Sequence, residues 1–290
     1  MNATKRYAYI HVGTPKTGTT ALQASLFSNY SFLKKEGYLY TKTGLWARGH
    51  SYAHHNFAYQ LYNYPFFDPK HGTLDELRNE LKMWHGHIII SSEIFIGLYD
   101  DVAKLSILKN TFNSLGFEVV IIIYFRDCVE YVNNLYAEFV KNHFLQIDIN
   151  EFVNHILSHG QFTLYDNWVF SFDYVEIVKN FANVFGNENV ICVKYNKDKT
   201  INKFSQIIGV DLGSEILANR SINQKTMEIL IAVNKELSKS NLSEFNHHNI
   251  NQTIVLELKD LDLKEYFGID NVYSKKIKER FLKSEPIYRY

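Results

Sequence analysis

The stretch Tyr7-Ala8-Tyr9-Ile10-His11-Val12, then Gly13-Thr14-Pro15-Lys16-Thr17-Gly18-Thr19-Thr20, then Ala21-Leu22-Gln23-Ala24-Ser25-Leu26-Phe27-Ser28 decides how this chain is read. A short apolar run leads into a turn rich in glycine and threonine, and the turn into a segment of helical period. The pattern predicts a strand that feeds a tight loop at the start of a helix. Such a loop is an anion site, because the first N–H groups of a helix have no intrahelical partner and the macrodipole places partial positive charge there. Gly13 and Gly18 let the backbone fold close around a bound group. Lys16 adds a mobile cation, and Thr17, Thr19 and Thr20 add hydroxyl donors.

Spacing narrows the choice of anion. Gly13 and Gly18 meet the glycine spacing of the loop GxxxxGK[ST], but Thr19 stands where that loop carries its lysine, and the cation has moved inside the turn to Lys16. This breaks the pairing of a lysine on the β/γ-phosphates with a neighbouring hydroxyl on Mg²⁺. A lysine two residues before the second glycine instead suits the bond between a single 5′-phosphate and its transferable group. A sulfuryl group carries less negative charge than a terminal phosphoryl group and needs less metal neutralisation.

The phrase IHVGTPKTGTTALQ resembles the 5′-phosphosulfate loop of sulfotransferases that use 3′-phosphoadenosine 5′-phosphosulfate (PAPS), in particular their bacterial members. The resemblance implies an α/β, P-loop-like domain with a central, mainly parallel sheet flanked by helices. It implies PAPS as co-substrate, the 3′,5′-bisphosphate PAP as product, no required metal, and residues Pro15, Lys16, Thr17, Gly18, Thr19 and Thr20 around the phosphosulfate. The competing readings are a kinase that uses ATP and Mg²⁺ through a displaced lysine, a nucleotide-binding module without catalysis, and a turn that merely joins a strand to a helix.

At 290 residues the chain fits one large α/β domain or two small ones. There is no internal repeat and no low-complexity linker, so one continuous domain over 1–290 is expected, with the part from about 254 forming peripheral helices. Hydrophobic residues make up 46% and charged residues 21%, the composition of a globular protein with a sizeable core. Formal net charge is zero, which argues against a general polyanion binder and hence a nucleic-acid partner. Basic clusters such as Lys34-Lys35 and Lys275-Lys276 read as solvated faces. Cys128 and Cys192 are too few for a disulfide framework and read as free thiols. No signal segment opens the chain, and its longest apolar run, Val119 to Phe125, is far short of the roughly 20 residues that span a bilayer, so a cytoplasmic protein is expected. The sequon Asn251-Gln252-Thr253 is then incidental.

Further along, Tyr38-Leu39-Tyr40 offers a short strand, and a polar segment with Gly49-His50 and His54-His55 leads into a helix from Ala53 to Asn63. No second cluster of ligands with recognisable spacing makes these histidines a metal site. The functional alternative to a plain loop is that His54 or His55 points into an acceptor cleft. Leu74 to Trp84 carries helical spacing. His87-Ile88-Ile89-Ile90 is an apolar strand of the kind buried on both faces of a parallel sheet, and Ser91-Ser92-Glu93 follow it. Ligands gather outside the carboxyl ends of such strands, which makes Glu93 a candidate reactive group.

Asp100 to Gly116 predicts a helix, and Val119 to Phe125 the clearest central strand, ending in Arg126-Asp127. Strand, arginine and following helix resemble the family's 3′-phosphate element, which implies that Arg126 grips the nucleotide. The hydroxyl residue expected eight positions later is Asn134 here. Reading Asp127 as a magnesium-binding acid would set Arg126 against the metal. Helical patterns continue over Glu151 to His159 and Tyr165 to Phe185, a strand over Asn189 to Tyr195, and helices over Phe204 to Ile208 and Gln224 to Leu237. The resemblance implies a place for Tyr195 near the adenine or the cleft, and for Asn223, in the phrase Ala218-Asn219-Arg220-Ser221-Ile222-Asn223, on the nucleotide's 3′ side. Helix capping is the simpler role for Asn223. Ser238 to Thr253 reads as a loop.

Together these readings give sulfuryl transfer to an acceptor hydroxyl or amine. Lys16 stabilises the leaving phosphate, Glu93 acts as base and His55 is the reserve base, while a bacterial glycan or glycolipid is the expected acceptor. Oligomeric state, monomer or homodimer, is not legible.

Overall fold

The computed structural model describes residues 5–48, 51–165, 168–213, 222–240, 242–259, 265–282, 286 and 288–289. In chain order the elements are β1 (Arg6–His11), α1 (Thr19–Ser28), α2 (Tyr30–Lys35), β2 (Tyr38–Tyr40), β3 (Trp46–Arg48), β4 (Ser51–Ala53), α3 (His55–Tyr62), α4 (Leu74–Leu81), β5 (His87–Ser91), α5 (Val102–Asn113) and β6 (Phe117–Phe125). Then come α6 (Cys128–Asn142), α7 (Ile149–His159), β7 (Gln161–Leu164), β8 (Trp168–Ser171), α8 (Tyr174–Phe185), β9 (Val190–Lys194), α9 (Thr200–Ile208), α10 (Gln224–Leu237), α11 (Glu244–Leu258) and α12 (Asn271–Phe281).

Where the sequence reads as one continuous domain, the chain gathers into two compact units: residues 1–126, 174–217 and 285–290 form the first, and 127–173 with 218–284 the second. No linker composition announces the first crossing, because it falls at the junction of β6 and α6, between Arg126 and Asp127.

The first unit is built on a parallel sheet of order β2-β5-β1-β6-β9. The apolar runs of β5 and β6 are buried along nearly their whole length, as strands covered on both faces must be. Helices α1 and α9 cover one face through Leu22, Leu26, Ile201 and Phe204, which pack on Ile122 and Tyr124. Helices α5 and α8 also pack on β6. From β1 the chain first fills one side of the sheet (β2, β5) and then the other (β6, β9). The carboxyl end of β1 therefore lies where the strand order reverses, the place at which open α/β sheets hold ligands.

The second unit holds α6, α7, the antiparallel hairpin β7–β8, α10, α11 and α12. Two expectations fail here. Residues from Tyr165 onward do not form one helix down to Phe185, because Phe162 and Phe170 alternate inward on β7 and β8 and pack with Phe139. The Asn- and Ser-rich stretch read as a loop is largely helix α11, capped by Ser243, whose hydroxyl accepts from Asn246 N. Its amides are interhelix links: fully buried Asn251 donates to Asn234 Oδ1 at 3.0 Å and to the Lys141 carbonyl at 3.1 Å. A sequon whose asparagine is so enclosed offers no acceptor in the folded chain. Both cysteines are buried free thiols. No helix among the described residues is long and apolar enough to cross a membrane.

Candidate active site

The loop after β1 is pinned to the neighbouring strand. Val12 N donates to the Ile122 carbonyl at 2.9 Å, and Thr14 donates to the Tyr124 carbonyl through both its N–H (3.1 Å) and its hydroxyl (2.9 Å). The Thr17 hydroxyl turns back on the Thr14 carbonyl at 2.6 Å and is buried. Thr17 thus spends its side chain inside the loop, where the sequence reading had it facing a ligand. Thr19 is also buried, while Pro15, Lys16, Gly18 and Thr20 are half-buried.

Two backbone features mark the loop as built rather than incidental. Lys16 has φ 66°, in the left-handed region that a lysine occupies at a cost of order 1 kcal/mol. Gly18, the residue that opens α1, has φ 76° and supplies no side chain to cap the helix N–H groups. A Cβ on Gly18 would stand 3.3 Å from Tyr195 Cε2 and 3.4 Å from Thr200 Oγ1, so this position combines a left-handed backbone with close approach. Among the described residues no side-chain cap from Gly18 closes this helix entrance, and the first N–H groups of a helix are those that an anion can engage.

Arg126 and Tyr195 meet at this loop. Tyr195 N extends the pairing of β6 with β9 by donating to the Phe125 carbonyl at 2.7 Å. The Arg126 guanidinium lies 5.2 Å from the Tyr195 ring centroid and donates to the Lys16 carbonyl at 3.1 Å. Lys16, Gly18, Arg126 and Tyr195 are therefore brought together. Asn134 and Asn223 belong to the second unit. The Asn134 amide donates to the Glu130 carbonyl one turn back at 2.6 Å. Asn223 caps α10, accepting from Thr226 N at 2.8 Å and from its hydroxyl at 2.9 Å, and donates to the Leu258 carbonyl at 3.0 Å. Ala218 to Ser221 of the same phrase lie outside the described residues. Asp127, weighed as a magnesium ligand, caps α6 through Val129 N and Glu130 N.

Beside the loop, Glu93 follows β5 as the first residue of a short 3₁₀ segment whose cap is Ser92. Its Oε2 accepts from Gln23 Nε2 at 3.0 Å. Burial pushes the carboxyl up, but His55, its own N–H, Gln23 and His11 more than offset this and hold it below its ordinary value. His55 Nδ1 lies 2.8 Å from Ser92 Oγ, and burial lowers its pKa against the opposing pull of Glu93.

The two adjacent histidines have separate roles. His54 is fully buried; its Nδ1 accepts from Ser91 N at 3.1 Å, and its Nε2 lies 2.9 Å from both the Thr41 carbonyl and the Thr41 hydroxyl. With both ring nitrogens engaged, it ties the segment after β2 to the end of β5 and is no base. Burial keeps it neutral, with its pKa lowered from 6.5 to about 4. The unfolded chain therefore binds this proton more tightly, and the stability His54 confers is lost as pH falls from 6.5 towards 4. His54→Ala should cost on the order of 3 kcal/mol in urea unfolding at pH 7, from orphaned buried groups and a cavity. It should also reduce the acid loss of stability over that window.

Sequence reading missed His11, Gln23 and Ser91. His11 and Gln23 flank the loop within the apolar strand and helix that carry it, and a polar side chain in such a setting is the signal that it must find a buried partner.

No family model matches the chain, and no curated protein matches it. Among solved structures the chain is similar to a sulfotransferase from Alicyclobacillus acidocaldarius, at 16% identity and TM-score 0.42, over 83% of this chain and 99% of that one. It is similar to the sulfotransferase domain from the curacin biosynthetic pathway, at 12% identity and TM-score 0.39, over 97% of this chain and 99% of that one. It is also similar to retinol dehydratase in complex with androsterone and the inactive cofactor PAP, at 12% identity and TM-score 0.40, over 99% of this chain and 84% of that one.

Proposed function

We propose that this chain is a PAPS-dependent sulfotransferase. The observation that carries the reading is the loop itself: a lysine in a left-handed conformation inside a turn that opens an uncapped helix, with threonine at the position a triphosphate loop gives to its lysine. PAPS supplies an activated sulfuryl group on a 5′-phosphate. Lys16 and the N–H groups of residues 17–20 hold that phosphate, and Arg126 and Tyr195 flank the loop on the nucleotide side.

In the transfer, the acceptor oxygen forms a bond to sulfur while the bond from sulfur to the phosphate oxygen breaks. The electron pair stays on the departing phosphate, where Lys16 and the loop amides offset it, and the acceptor proton passes to Glu93. His55, neutral and beside Glu93, is the second candidate for that proton.

The aromatic groups on the Glu93 side support a saccharide or glycolipid acceptor. Tyr59 packs with Trp46, His55, Tyr64 and Phe66, and its hydroxyl is pushed up by burial and by the Glu93 charge. Such rings present apolar faces beside polar tips, which suits a sugar. Incubation with radiolabelled PAPS and a whole-cell extract in EDTA, beside a parallel incubation with radiolabelled ATP and Mg²⁺, tests the whole reading. A labelled glycan or glycolipid is the expected product, and transfer that requires ATP and Mg²⁺ instead would contradict it.

A further inference from the structure

His11 closes β1 and Ser91 closes β5, and the two are paired in register across the sheet. His11 Nδ1 lies 2.8 Å from Ser91 Oγ. Gln23, buried on α1, sends one amide hydrogen towards Ser91 Oγ at 3.3 Å and the other to Glu93 Oε2 at 3.0 Å. The Gln23 nitrogen only donates, so Ser91 Oγ is an acceptor towards it and keeps its own proton for another partner. His11 and Ser91 are fully enclosed and Gln23 nearly so. Buried amides and hydroxyls of this kind hold one geometry, because any other leaves a polar group without water and without a partner. At the far end, His11 Nε2 is buried with no partner among the described residues, and it stands 2.8 Å from the point where a Cβ on Gly13 would lie. The chain of contacts therefore begins against the anion loop and ends on the carboxylate.

We propose that Gln23, held in place by Ser91 and His11, is a positioning residue that fixes the Glu93 carboxylate beside the anion loop. The catalytic meaning of this relay rests on the reading of Glu93 as base; its geometry does not. The side-chain contacts of Gln23 are to Ser91 and Glu93, and its role runs through Glu93. The other titratable groups facing Glu93 are His55 and Tyr59 on α3, Tyr40 on β2 and His11 on β1. Among the described residues Gln23 is the side chain that donates to Oε2. His11 stays neutral, with burial lowering its pKa to about 4 against the pull of Glu93, so it serves as a hydrogen-bonding spacer.

The test is titration of Glu93 in the full chain, labelled with ¹³C at glutamate carboxyls, with the Glu93 signal assigned by its loss in Glu93→Gln. In Gln23→Leu, which keeps the volume and removes the donor, the Glu93 midpoint is expected to rise by about one pH unit, the equivalent of one hydrogen bond to a charged group. Ser91→Ala, which leaves the donor but loosens it, should move the midpoint the same way by less. Where the wild type turns PAPS over, Gln23→Leu should lower kcat on the order of tenfold with the KM for PAPS unchanged. A Glu93 midpoint that stays put in a folded Gln23→Leu variant overturns the relay. A midpoint that moves in a chain inactive with PAPS upholds the relay and sinks only the assignment of function.

Discussion

Lys16→Ala is expected to lower kcat with PAPS by about 100-fold or more while leaving the fold intact. The leaving phosphate gains charge as the bond to sulfur lengthens, and a preorganised donor at that atom contributes more to the transition state than to the bound ground state. The loss should therefore fall on kcat more than on the KM for PAPS. Lys16→Gly sharpens the test, because Lys16 sits at φ 66° and glycine occupies that region without strain. That variant should lose rate as fully as the alanine variant with no loss of thermal stability. Retention of more than about a third of wild-type turnover in either variant would remove Lys16 from the chemistry.

Glu93→Gln is expected to lower kcat about 100-fold at saturating PAPS, the lower end of what a positioned general base contributes. Glutamine keeps the volume and an acceptor oxygen for Gln23 but cannot take the acceptor's proton. The substitution has a second effect. The Glu93 charge raises the pKa of His55 against burial, so without it His55 should titrate lower still. If Glu93 is the base, His55→Ala should cost much less than Glu93→Gln. Near-normal turnover of Glu93→Gln together with collapse in His55→Ala would transfer the role to the histidine.

The sheet and loop were legible because they rest on local rules. Fully apolar runs such as Ile88-Ile89-Ile90 and Val119 to Phe125 have few homes outside a doubly covered parallel sheet, and a glycine-bounded turn between strand and helix carries its geometry in its spacing. Glu93 was legible as the polar residue following a buried strand. The division of labour between His54 and His55 was not, because adjacent residues at a helix start point in different directions, and only tertiary placement sends the first between Thr41 and Ser91. The same holds for Thr17, whose hydroxyl is as well suited to a ligand as to the Thr14 carbonyl until the turn closes. Gln23 and Ser91 are remote in sequence and meet through the register of β1 with β5, which no local pattern encodes. Helix α11 was hidden by its composition, since asparagine favours loops unless a neighbouring helix offers carbonyls to its buried amide.

The most direct measurement is a calorimetric titration of the protein with 3′,5′-adenosine bisphosphate, ATP and AMP, each with Mg²⁺ and with EDTA. The account predicts tight binding of the bisphosphate that is indifferent to EDTA, weakened but retained in Lys16→Ala, and absent for ATP and AMP. Tight binding of ATP that depends on Mg²⁺, with none of the bisphosphate, would contradict it.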